Sequence, residues 1–157
     1  ITIGGASVGK YDLVHDAALN AGAKFEFTEV NIRPGKPFKA GKIGSTIIFS
    51  LPGNPVSSLI CSQLFIAPLL EKMRGNNKRI KLDNAYLLKD IPENGQRRHY
   101  MRAQSTLKYG KLYVIPLRNL DSHNLVVLDQ ANSLIVRAEN EGNKKTGDKV
   151  KILKLEI

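Results

Sequence analysis

The chain has 157 residues, 42% of them hydrophobic and 24% charged, with a net charge of +10. That mixture excludes a disordered chain and fits one ordinary domain or two small ones. The longest apolar stretch, Val56 to Leu70, is broken by Ser57, Ser58, Ser62, Gln63 and Pro68, so no membrane partner is expected.

Ile1 to Ile3 reads as a strand end and Gly4 to Lys10 as a glycine loop. The chain opens halfway through a βα unit with no initiator Met, which predicts a truncated or processed chain. Tyr11 to Ala21 follows as a helix with Leu13, Ala17, Ala18 and Ala21 on one side, and Gly22 is placed to end it. Lys24 to Ile32 reads as a strand whose alternation slips between Phe27 and Val30, at a bulge or an early end. Arg33 to Gly44 is predicted as a loop. Ser45 to Leu51 is a strand of the kind buried on both faces. Pro52-Gly53-Asn54-Pro55 turns the chain into a helix from Val56 to Met73, where Pro68 predicts a kink or a boundary. This order describes the later half of an open α/β sheet.

The texture changes near Gly75-Asn76-Asn77. Beyond it the predicted strands are Ala85 to Leu88, His99 to Ser105, Lys111 to Pro116, Ser133 to Val136 and Val150 to Ile157. Turns are expected at Tyr109-Gly110-Lys111 and Thr146-Gly147-Asp148, with one helical turn allowed between Asn124 and Ala131. Short strands at this spacing argue for a small all-β barrel or sandwich. The domains are therefore set at residues 1–75 and 76–157. The first carries eight Lys/Arg against five Asp/Glu, the second sixteen against nine, so the basic excess lies mostly in the second. An anionic partner fits such a balance. The tyrosines of the second half show no stacking pattern, which argues against nucleic acid.

Three loops carry candidate chemistry. Gly4-Gly5-Ala6-Ser7-Val8-Gly9 stands after a strand and before a helix, where backbone N–H groups can approach an anion. It is neither a dinucleotide fingerprint nor a Walker loop. Asp12 and Asp16 on the following helix share a face; carboxylates beside a phosphate loop suit Mg²⁺, although acidic residues also stabilise a helix start. Arg33-Pro34-Gly35-Lys36-Pro37 offers two cations on a stiff bend, with Lys39 and Lys42 extending it. Leu51-Pro52-Gly53-Asn54-Pro55 repeats the strand-to-helix placement of the first loop, and two such loops on adjacent parallel strands would face one crevice. Cys61, the sole cysteine, reads as a buried core residue, and His15, His99 and His123 lack metal-site spacing.

GGASVGKYD, IRPGKPF and LPGNPVSS, in this order, resemble the molybdopterin molybdenumtransferase family, the MoeA proteins and gephyrin. The resemblance implies the later half of a MogA-like open parallel-sheet domain, a small β-barrel domain after it, and a cytoplasmic homodimer. It implies insertion of molybdenum from molybdate into adenylylated molybdopterin with release of AMP, assisted by Mg²⁺. By position, Asp12 matches the family's functional acid and would serve in catalysis and metal binding. Gly4, Gly5, Ser7, Arg33, Lys36, Pro52, Gly53, Asn54, Pro55, Arg102 and Ser122 would bind substrate, the last two across a dimer. Glu29 departs from the lysine usual in the family, and Val126 and Val127 from its serines. A gephyrin-like scaffold that binds a partner peptide is the alternative. The chain by itself is expected to be inactive, because upstream parts of the site are missing from it.

Overall fold

A computed structural model of the chain describes residues 1–4, 13–77, 79–117 and 130–155. They form two compact units, Ile1–Leu69 and Leu70–Ile157.

The first unit is built on a four-stranded sheet of β1 (Thr2–Ile3), β2 (Ala23–Phe27), β4 (Lys39–Ile43) and β5 (Thr46–Leu51), in the order β1-β5-β4-β2. β1 runs parallel to β5, whereas β5 with β4 and β4 with β2 are antiparallel. The sheet is therefore mixed. The short extended segment β3 (Ile32–Arg33) leads into the basic loop, and α1 (Leu13–Asn20) precedes β2, with Gly22 at φ 85° after it. The slip foreseen after Phe27 is an early strand end, and the register with β4 also shifts between Phe25 and Phe27.

β4 corrects the reading of residues 33–44 as continuous loop. Lys-Ala-Gly-Lys-Ile shows no β-branched alternation, yet it lies between two other strands. Gly41 explains how: a Cβ there would stand 2.3 Å from the Lys24 carbonyl oxygen and 2.7 Å from Phe25 Cα, so β2 passes too close for any side chain. Phe38, fully buried, centres the core beside this strand. Its ring lies 4.7 Å from Phe65 and 5.7 Å from Phe49, both stacked, and 5.9 Å from Phe27.

The long helical run divides into α2 (Pro55–Cys61), a π-helical turn (Ser62–Ile66) and α3 (Ala67–Met73). Ala67 N–H reaches five residues back to the Ser62 carbonyl. Pro68 has no N–H for Leu64, and its ring would press on that carbonyl in a regular helix, so the widened turn falls where the misfit would arise. By length and composition alone, Pro55–Met73 is apolar enough to cross a membrane, contrary to the sequence reading. Its Val56, Ile60, Cys61, Leu64 and Ile66 are core residues of the unit.

The second unit contains β6 (Asp83–Leu87), β7 (Arg98–Lys108), β8 (Lys111–Pro116), β9 (Ser133–Arg137) and β10 (Lys149–Lys154). They run in the order β7-β8-β6-β10-β9, and β9 pairs again with β7, so the sheet closes into a five-stranded barrel. All neighbours are antiparallel except β6 and β8. The interior is filled by Ala85, Leu87, Ala103, Val114, Ile135, Val150 and Ile152, with Ile91 closing the cluster. The seven strand residues lie on the inward parity of their strands, which is why the short alternating runs were legible. The β7–β8 hairpin turns at Tyr109 and Gly110, φ 49° and 72°, as the turn signal predicts.

One side chain in this unit could not be read from pattern. Arg137 is fully buried and donates through Nε to Glu141 Oε2 at 2.7 Å. Its Nη1 donates to the Pro92 carbonyl at 3.0 Å, and Nη2 to the carbonyls of Glu141 and Gly142 at 3.1 and 2.7 Å. One guanidinium thus ties the 92 loop to the 141–142 turn with directional bonds.

Candidate functional site

The site starts where β1 and β5 end. Their parallel register places Ile3 beside Leu51, and Gly4 N–H continues the ladder to the Leu51 carbonyl at 3.1 Å. Gly4 has φ 86°, and a Cβ on Gly53 would lie 3.5 Å from Gly4 Cα. The start of the first loop and the Pro52–Pro55 turn are thus in backbone contact at the carboxyl ends of neighbouring parallel strands, where open α/β sheets bind ligands. Gly5, Ser7 and Asp12 lie outside the described residues.

The turn itself is held by its own chain. Asn54 Oδ1 accepts from the N–H groups of Val56 and Ser57 at 2.9 and 3.2 Å, and its carbonyl accepts from Ser58 N–H at 2.9 Å. Pro55 fills the first helical position, where no N–H is needed. Ser58 Oγ donates to the buried Pro52 carbonyl. The first donors of α2 are therefore satisfied from within, and Asn54 is its N-cap. Gly53, exposed, is the open face of the turn.

The basic loop is anchored further along the same helix. A Cβ on Gly35 would meet Cys61 Sγ at 2.7 Å and Ile32 Cδ1 at 2.9 Å, and Gly35 adopts φ 118°. Only glycine fits there. Cys61 is the buried core residue expected, its thiol pushed up to about 12 by burial, which keeps it in the unreactive protonated form. Val30 N–H to the Lys36 carbonyl at 2.9 Å and Phe38 N–H to the Gly35 carbonyl at 3.1 Å complete the loop. Arg33 and Lys36 are exposed on it. Lys36 Nζ lies 3.3 Å from Glu29 Oε2, so the departure at Glu29 is an ion pair with the very lysine assigned to anion binding. Lys39 is buried in β4, and Lys42 is exposed there.

Arg102 belongs to the second unit. It lies on β7 opposite Leu134 and is buried, and desolvation pulls its guanidinium below the usual arginine range. Ser122 lies outside the described residues. The structure thus joins the first and third motifs through Gly4, Leu51 and Gly53, and pins the second at Cys61. Among the described residues no group of three or more His, Cys, Asp or Glu could hold a metal ion.

Residues 1–72 match the family model described as a probable molybdopterin binding domain, and residues 84–155 match the MoeA C-terminal region, domain IV. The chain belongs to the MoeA/gephyrin family. It is 30% identical over 155 residues to a molybdopterin molybdenumtransferase of Haemophilus influenzae, covering 97% of this chain and 38% of that protein. It is also 30% identical over 178 aligned residues to gephyrin of Dictyostelium discoideum, covering 98% of this chain and 25% of that one. Among solved structures, a molybdopterin biosynthesis MoeA protein from Pyrococcus horikosii superposes with a TM-score of 0.74 at 23% identity, over 91% of this chain and 34% of that chain. This last likeness supports the fold. The chain spans about a quarter to two fifths of the length of these curated relatives.

Proposed function

We propose that the full-length protein to which this chain belongs inserts molybdenum from molybdate into adenylylated molybdopterin and releases AMP. The observation that carries the reading is the backbone contact of Gly4 with Leu51 and Gly53, which sets the start of the first glycine loop beside the Pro52–Pro55 turn at the ends of parallel strands. Such a surface lets a phosphate approach the backbone closely. In this reading Gly4, Gly5, Ser7 and Gly53 are assigned to the phosphate groups, while Pro52, Asn54 and Pro55 hold the turn in shape. Arg33 and Lys36 supply the compensating charge, for which Lys36 must leave Glu29. Asp12 is the carboxylate assigned to Mg²⁺, an ion that commonly takes one or two carboxylates and keeps waters and substrate phosphates as its other ligands. Arg102 and Ser122 would complete the site across a homodimer in the cytoplasm.

The test, run on the full-length protein, is AMP release from adenylylated molybdopterin with molybdate and Mg²⁺, followed by chromatography. Release that depends on molybdate and falls sharply in Gly53→Val supports the reading. Release indifferent to molybdate, or unchanged in that variant, overturns it.

A further inference from the structure

The outer face of the barrel carries a feature for which the pterin chemistry has no use. Lys149 stands opposite Tyr86, Tyr86 opposite Tyr113, and Tyr113 opposite Thr106, forming one cross-strand row over β10, β6, β8 and β7. Lys151 lies opposite Asn84 beside this row, and Lys111 opposite Lys108. The side chains of Lys111 and Lys149 converge on one ring, with their Nζ atoms 5.7 and 5.6 Å from the Tyr86 centroid. Tyr113 tilts against the same ring at 5.9 Å.

No outward position of these strands, from Gln104 to Lys108 on β7 and throughout β6, β8 and β10, bears a carboxylate. Among the described residues none of the four lysines makes an ion pair. Asp148, the acid next to Lys149, instead turns its Oδ2 to Lys145 N–H at 2.8 Å. Like charges gathered without counter-ions repel one another, and an anionic partner relieves that. On the other side of the tyrosine row stand Leu88 and Ile115, 49% and 38% exposed.

We infer that this face docks an acidic peptide segment of a partner protein, one in which carboxylates are interleaved with apolar side chains. Carboxylates meet Lys108, Lys111, Lys149 and Lys151, and the apolar residues lie on Leu88, Ile115 and the edge of Tyr113. Two observations favour a peptide over single-stranded nucleic acid. Stacking of bases needs an open aromatic face, and the Tyr86 ring already has two ammonium groups over it and Tyr113 against it. The exposed aliphatic row has no counterpart in a sugar–phosphate chain. Because the barrel is closed, its central strands have no free edge for a partner strand to join, and recognition falls to these side chains.

The experiment is fluorescence anisotropy of the protein with a labelled synthetic peptide of about twelve residues, rich in Glu and Asp with leucines interspersed. Reversing two central charges in Lys111→Glu with Lys149→Glu is expected to weaken binding by about tenfold or more, and added salt to weaken it in the native protein. The control Lys24→Glu with Lys72→Glu, on exposed lysines elsewhere, leaves affinity unchanged. Unaltered thermal melting shows that the reversed variant is folded, and Lys111→Gln with Lys149→Gln, a milder change, is expected to weaken binding in the same direction. No binding, an equal loss in the control pair, or tighter binding of an oligothymidylate of similar length than of the peptide would each overturn the inference.

Discussion

Two ion pairs, one in each unit, are built from similar groups and put to opposite use. Arg137 and Glu141 meet at 2.7 Å with side chains 2% and 26% exposed, whereas Lys36 and Glu29 meet at 3.3 Å with side chains 52% and 47% exposed. In the first pair Arg137 is desolvated and held by backbone carbonyls as well as by Glu141, so it cannot lose that carboxylate without becoming an orphaned buried charge. The second sits in water on the loop that the proposed function assigns to an anion. An exposed pair of this kind contributes about 0–1 kcal/mol, and Lys36 can therefore exchange Glu29 for a ligand at little cost. Burial decides which pair is structural and which is available.

The largest effect expected from breaking this contrast is Arg137→Ala. It removes four hydrogen bonds and leaves the carbonyls of Pro92, Glu141 and Gly142 without their guanidinium donor, and a loss of about 3–5 kcal/mol in unfolding free energy is expected from urea denaturation. Lys36→Ala, by contrast, leaves the urea midpoint nearly unmoved. Its effect falls on binding: loss of a charge-assisted bond of about 1.5–3 kcal/mol weakens adenylylated molybdopterin by roughly ten- to a hundredfold in titration calorimetry. Equal affinities for Lys36→Ala and Lys42→Ala would mean that the basic loop is only a turn.

The Arg137–Glu141 pair also makes stability depend on pH. Burial works against ionisation of Glu141, but the hydrogen bonds from Arg137, Lys144 and Ala138 N–H outweigh it and hold the carboxyl below the usual glutamate range. A depressed folded pKa gives stability that is present above the unfolded value and lost as pH falls through the folded one. Urea midpoints should therefore drop below about pH 4, and Glu141→Gln should flatten that drop while lowering stability at neutral pH. Asp90, accepting from Thr146 N–H, from Lys145 and from the Thr146 hydroxyl, is depressed in the same direction, so Asp90→Asn should trim the slope further. The smallest effect is Glu29→Gln. It frees Lys36 and should tighten the anion by a few-fold, of the order expected for an exposed pair. Weaker binding would place Glu29 on the ligand's side.

The barrel was the more legible half because its strands obey one rule. Ala85, Leu87, Val114, Val150 and Ile152 alternate with exposed residues and face one interior, and glycine marks the turns at Gly110 and Gly147. The first unit hid β4, since the feature that makes Lys39–Ile43 a strand is clearance against β2 at Gly41, and clearance has no periodicity. At the candidate site, the adjacency of the first and third loops followed from their equivalent places after strands. Asn54 was assigned to ligand binding without regard to its capping of α2, which only the structure shows. The clamp by Arg137 could not be foreseen, because three of its four acceptor atoms are backbone carbonyls, which any residue supplies.

Closure of the barrel also sets an order in time. β6 is the first of its strands to leave the ribosome, and both its neighbours, β8 and β10, come later. β10 completes the ring only when residues 149–154 have been made. Until then β6 has an unpaired edge, as does β9, which waits for the same strand. The barrel therefore cannot close before β10 is made, and a chain stopped at residue 148 should accumulate as a protease-sensitive species while one that includes β10 becomes resistant. The last strand works as a latch on a ring that must be threaded before it can lock.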